Sequence, residues 1–319
     1  MLLAGALIAL ALCVGLIAFL NHHWFTRADP HDIISAGQVA DLEYKPPLPR
    51  PAYEAGEGPR VAIDEAHHNF HTAEGRYRPF AELLRRDGYR VGAFRPLFCA
   101  ESLKSVEVLV ISNALHERNA ENWSPPNPSA FTRDEIAALY NWVQKGGSLF
   151  LIADHMPFPG AATDLARALG VEFSNGYATA GHWKPGSPET FEYKTGLKES
   201  IITRGRSDDE KVTKVATFTG SAFKLPREAI PVLEFGARSE SVEGEGESKT
   251  RKVAIEGWCQ GAVLKVGKGR VAVFGEAAMF SAQLAGREPM GMNAPEAEQN
   301  HQLLLNVMHW LSRAKGMAD

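Results

Sequence analysis

The sequence predicts an α/β protein built on a doubly wound, mainly parallel sheet. Two observations carry this. From Arg60 onward short apolar runs alternate with helical patterns, and VEVLVIS (106–112) and SLFLI (148–152) are apolar almost throughout, as strands buried on both faces are. The 319 residues are 45% hydrophobic and 23% charged, which excludes a disordered, collagenous or coiled-coil chain.

In chain order, residues 1–20 hold no charged side chain, and a helix of that length would span about 30 Å, enough to cross the hydrocarbon core of a bilayer. Trp24 follows at interfacial depth. No basic n-region or small-x-small cleavage site is present, so residues 1–24 are expected to be an uncleaved single-pass anchor, with the soluble part extracytoplasmic. Residues 25–59 carry Pro30, Pro46, Pro47, Pro49, Pro51 and Pro59 and are expected to be an extended spacer. RVAID (60–64) reads as the first buried strand, 77–86 as a helix with Phe80, Leu83 and Leu84 on one face, and 89–94 as the second strand. After VEVLVIS, Thr132 and Glu135 spell a capping box opening a helix over 133–145, which Gly146-Gly147 ends. SLFLIAD is the fourth strand, and 161–169 the next helix, stopped by Gly170.

Residues 171–250 break the rhythm and are expected to be an insertion or a separate β-rich subdomain, with SESVEGEGESKT an exposed loop. A hairpin through Gly267-Lys268-Gly269 and an amphipathic helix over 300–312 complete a domain spanning 60–319.

The charge balance narrows the function. Lys plus Arg number 34 and Asp plus Glu 38, a net of −4, which is no footprint for a nucleic-acid binder. Three Cys without a C-x-x-C pair make neither a disulfide scaffold nor a zinc or redox motif.

Ligands of open α/β sheets bind beyond the carboxyl ends of the strands. The first strand delivers Asp64, Glu65, His67, His68, Asn69 and His71 there; the third delivers Asn113 and His116; the fourth, Asp154 and His155; the last, Glu276. Five of the chain's 11 His thus fall on one edge, which a merely solvated face does not explain. Three readings compete. In the first, His67, His71, His116 and Asp154 hold a divalent metal, with His67 and His71 one helical turn apart. In the second, Asp64, His67, Asp154, His155 and Glu276 do metal-free acid–base work, while His68, Asn69, Asn113 and His116 bind ligand. In the third, all of them cap helices and tie loops.

Two motif matches fail on context. Asp64-Glu65-Ala66-His67 spells a helicase box, but no phosphate-cradling G-x-x-x-x-G-K-[ST] loop exists. Gly257-Trp258-Cys259-Gln260-Gly261 looks like a nucleophile elbow, but a hairpin follows it where an elbow needs a helix, leaving Cys259 a buried structural thiol.

The succession VAIDEAHHNF, AELLRRDGYRV, VEVLVISNA, EIAALYNWVQKGGSLFLIADH and GKGRVAVFGEAAMF, over about 60–170 and 256–311, resembles a bacterial family of unknown function. Its members have a class I glutamine amidotransferase-like, flavodoxin-like domain, and many carry a membrane segment or signal. True amidotransferases of this class place a Cys on the elbow after a central strand, with a His-x-Glu downstream. Here Ser112-Asn113-Ala114 stands at that elbow, so no glutaminase activity is expected. Relatives without the Cys include sugar-utilisation proteins and noncatalytic accessory domains. The resemblance therefore implies a membrane-tethered domain with a small polar ligand in its crevice and, if it is an enzyme, a hydrolase. The alternative it implies is a noncatalytic domain of an envelope or transport assembly.

Overall fold

The computed structural model describes residues 37–184, 187–244 and 250–317. Strands β1 (Gln38–Ala40), β2 (Arg60–Asp64), β3 (Arg90–Phe94), β4 (Val108–Ser112) and β5 (Ser148–Ile152) come first. The middle holds β6 (Glu172–Phe173), β7 (Gly176–Thr179), β8 (Glu189–Glu192), β9 (Lys214–Thr217), β10 (Phe223–Lys224), β11 (Ile230–Glu234), β12 (Glu240–Gly244) and β13 (Thr250–Ala254). The last are β14 (Cys259–Val266), β15 (Gly269–Phe274), β16 (Ala282–Ala285) and β17 (Glu288–Gly291).

The main sheet runs β3-β2-β4-β5-β15-β14-β10-β6, with β11 also on β14. From β3 to β15 every pairing is parallel, and the rest of the sheet is antiparallel. Strand order reverses between β2 and β4, so the carboxyl ends of those two strands flank the switch point where such sheets take their ligands.

Alternation along the strands divides the core in two. Val61, Ile63, Val108, Val110, Phe150 and Ile152 point to one face, under the helices Arg78–Arg86 and Asn300–Leu311. Ala62, Leu109, Ile111, Leu149 and Leu151 point to the other, under the helices Arg133–Gln144 and Phe158–Ala168. The capping box forms as its spacing predicts: Thr132 Oγ1 accepts from Glu135 N at 3.3 Å, and Glu135 Oε2 accepts from Thr132 N at 3.0 Å.

Four expectations need revision. Residues 37–59 do not stand clear as a spacer. Here β1 pairs with β16, Ala52 N donates to Asp87 Oδ1 at 2.7 Å, and Tyr53 donates to Ser312 Oγ at 2.9 Å. The Pro-rich stretch stays extended, but Tyr44, Leu48 and Tyr53 give it apolar surface to lay on the core. Second, the insertion is no separate unit, since β6, β10 and β11 extend the main sheet. Third, part of SESVEGEGESKT is strand: β12 pairs with β13 and β7, supported by Lys252–Glu240 and Arg251–Glu243 ion pairs. Fourth, the last helix is buried nearly all round, because its polar residues serve the insertion. Asn306 Nδ2 donates to the carbonyls of Ile202 and Glu210, each at 2.8 Å, and Asn300 Nδ2 to that of Ala216 at 2.7 Å.

The predicted anchor, residues 1–24, lies outside the described residues. Among the described residues no helix is long and apolar enough to cross a membrane.

Candidate functional site

The strand-end residues separate into two groups. The first surrounds His67. Its Nδ1 lies 2.9 Å from Asp64 Oδ2 and its Nε2 lies 3.0 Å from Glu135 Oε1, while Phe98 and Phe131 enclose the ring at centroid distances of 4.5 and 4.9 Å. Both nitrogens face carboxylate oxygens, an arrangement that favours the doubly protonated ring. Burial works against that charge, but Asp64 and Glu135 outweigh it and raise the His67 pKa. Glu135 answers in the opposite sense: burial would raise its pKa, but His67 and the Thr132 cap bring it down. Asn69 completes the group, donating to Asp64 Oδ2 at 3.0 Å and accepting from His67 N at 3.1 Å.

Asp64 and Glu135 engage both ring nitrogens, so neither is turned toward the other predicted metal ligands. The predicted metal set is also dispersed. His68 sits at φ +46°, which breaks the helical turn that was to align His67 with His71. His67 lies in the core with Phe98 and Phe131, whereas His71 packs against Tyr77 in the core of the opposite face, ring centroids 4.4 Å apart. His116 caps the turn Glu117–Asn119, its Nδ1 accepting from Arg118 N at 3.0 Å. Among the described residues no three His, Cys, Asp or Glu side chains are grouped to hold a metal ion.

The second group gathers around Asp154 and Glu276, at the carboxyl ends of β5 and β15. Asp154 is buried; its Oδ1 accepts from His155 N at 2.7 Å and from Thr219 Oγ1 at 3.4 Å, and its Oδ2 from Ala277 N at 3.2 Å. Glu276, wholly buried, takes the next two amides, Ala278 N at 2.8 Å and Met279 N at 2.7 Å, and that of Phe218. Burial, with the Asp154 charge adding to it, pushes the Glu276 carboxyl well above its usual range against those three donors. Across from the pair lies Tyr77, whose hydroxyl donates to the Ala277 carbonyl at 3.0 Å. Burial and the charges of Glu276 and Asp154 push that phenol upward, and burial together with Asp154 does the same for Tyr177.

Half-buried rings lie beside this group. His155 stacks on Tyr177 at 4.5 Å, its Nδ1 donating to the Met156 carbonyl at 2.8 Å. Trp123 lies 6.1 Å from His155 and 5.5 Å from Phe70, and Arg76 covers Phe70 with its guanidinium carbon 3.9 Å from the ring centre.

Asn113 ties the two groups together. At φ +50° it makes the tight strand-to-loop turn at which an elbow would present a nucleophile. Its Oδ1 instead accepts from Asp154 N at 2.9 Å, and its carbonyl from Phe70 N at 3.0 Å. Cys259 opens β14 inside the sheet, where burial pushes its thiol up to about 12, leaving it inert.

Arg76, Tyr77, Tyr177 and Thr219 stand in or beside this group, and the sequence reading did not single them out. Tyr77 was readable only as a helix start, and the other three carry no local signal. A cavity of about 340 Å³ lies at the opposite edge of the sheet, lined by Pro59, Glu107, Trp142, Gly147 and Arg313. Those are the amino ends of β2, β4 and β5, away from the convergent polar groups.

No protein-family model matches the chain, and no curated protein matches it in sequence. Solved structures do. The mmIFT52 N-terminal domain is similar over 79% of this chain and 97% of its own, with a TM-score of 0.58 at 14% identity. The likeness is one of fold. A ThuA-like protein from Bacteroides uniformis (TM-score 0.43, 13% identity, 86% of this chain and 97% of its own) is also similar. So is a GMP synthase subunit from Thermoplasma acidophilum (TM-score 0.43, 9% identity, 81% and 96%).

Proposed function

We propose that this protein is a ligand-binding domain of the class I glutamine amidotransferase-like, flavodoxin-like type, held at a membrane by residues 1–24 and lacking glutaminase activity. Its crevice takes a small polyhydroxylated molecule. The observation that carries this reading is the convergence of Asp154, Thr219 and Tyr177 beside the carboxyl ends of β5 and β15: a carboxylate, a hydroxyl and an aromatic ring edged by Trp123 and His155. Carboxylate oxygens accept from ligand hydroxyls, and aromatic rings pack against the C–H faces of a sugar ring. Binding without turnover is favoured because Asp154 and Glu276 are engaged by the backbone amides of residues 277–279, which fixes them in place.

Calorimetric titration of the full chain with glucose tests this. Binding is expected, and Asp154→Asn, which replaces one accepting oxygen with a donor, should weaken it at least tenfold, about 1.4 kcal/mol. Equal affinity in the variant would remove Asp154 from the site and the proposal with it.

A further inference from the structure

We propose that Arg76, with His71 beside it, forms an anion subsite at the edge of this crevice, covered by the Phe70 ring, so that the ligand carries a carboxylate. This rests on the ligand-binding reading above and adds a charge requirement to it. The Nε and Nη2 atoms of Arg76 are buried without a hydrogen-bond partner, and its Nη1 reaches only the Phe70 carbonyl at 3.5 Å. Other shielded arginines are matched: Arg206 bonds Glu210 at 2.6 Å, and Arg85 bonds Glu74 and Glu82, each at 3.1 Å. No carboxylate lies within ion-pair distance of Arg76 among the described residues.

Burial lowers the Arg76 pKa only to about 10, so it stays charged at neutral pH. A shielded cation with two unmade N–H bonds is costly, and an anionic ligand group would remove that cost by offering oxygens to the guanidinium fork. Next to it, His71 Nδ1 is a second buried atom without a partner. Burial, with the Arg76 charge adding to it, holds the His71 ring neutral. A neutral imidazole with its proton on Nδ1 donates to the same anion without adding charge. The ring in the way is Phe70, half-buried and stacked on the guanidinium, and its displacement would open the subsite.

Charge decides between a carboxylate and a phosphate. Asp154 and Glu276 both act on Tyr77, against which His71 packs, so the region already holds acidic groups. A doubly charged phosphate meets more repulsion there than a single carboxylate does. The ligand class is therefore a hydroxylated monoacid, with its carboxylate at Arg76 and its hydroxyls toward Asp154.

The test titrates the full chain in detergent with glucuronate, glucose and inorganic phosphate. Glucuronate is expected to bind at least tenfold more tightly than glucose, and more tightly than phosphate. Arg76→Met should abolish the preference for glucuronate over glucose and keep or raise the melting temperature, because a shielded charge without a counterion is gone. If that variant does not fold, Arg76→Lys serves, since it keeps the charge but loses the fork, and most of the preference should vanish. Equal binding of glucose and glucuronate by the unaltered chain overturns the anion subsite while the ligand-binding reading stands. Phosphate binding as tightly as glucuronate overturns the carboxylate assignment, and no binding by any of the three overturns both readings.

Discussion

Replacing His67 with alanine is expected to cost about 3–5 kcal/mol of stability, the range for removing one partner of a buried ion pair. It leaves Asp64 and Glu135 facing each other across a hole between Phe98 and Phe131, with neither carboxylate compensated. The loss should depend on pH. The folded pKa of His67 is raised, so its contribution is full below about 6.5 and fades as pH rises through the folded value. The folded pKa of Glu135 is depressed, so its share is present above about 4.3 and fades as pH falls through the folded value. The gap between the two proteins should therefore be widest between about pH 4.5 and 6.5, as urea denaturation across pH would record. A gap independent of pH would mean that His67 is held neutral and the charged triad is wrong.

Glu276→Ala is expected to be comparably severe. It strips the amides of Phe218, Ala278 and Met279 of their acceptor in a dry interior, each at about 1–3 kcal/mol. Relief of the repulsion with Asp154 offsets part of this, leaving a net loss of roughly 3 kcal/mol. The 218–221 and 276–281 loops should loosen together, because Glu276 joins them and Ser221 N also donates to the Gly275 carbonyl. A change in the urea midpoint worth less than about 1 kcal/mol would show that water replaces the carboxylate, and that the crevice floor is wet rather than dry.

What the sequence made legible follows from the range of the forces involved. The runs at 108–112 and 148–152 are apolar on both faces and could only be inner strands, and the Thr132–Glu135 box is a local signal that formed as written. The edge on which the site lies follows from strand polarity, so Asp154 and Glu276 could be assigned to it. Their partners could not. Glu135 has two oxygens with two tasks: Oε2 closes the cap, which spacing reveals, while Oε1 bonds a histidine 68 residues away, which spacing does not. His67 and His71 looked like neighbours on one turn, and a single left-handed residue, His68, sends them into opposite cores. Tyr177 and Thr219 reach the crevice from the insertion, through long-range antiparallel pairing that no local pattern announces.

The central claim is that the ligand enters at the carboxyl ends of β5 and β15, while the His67 cluster and the amino-end cavity take no part. Amide hydrogen exchange of the full chain with and without saturating glucuronate tests it most directly. Slowed exchange is predicted in segments 70–78, 154–158, 176–179, 217–220 and 276–279, with no change at 106–108, 145–147 or 311–313. Protection confined to those last three segments would place the ligand in the cavity beside Trp142 and contradict the account.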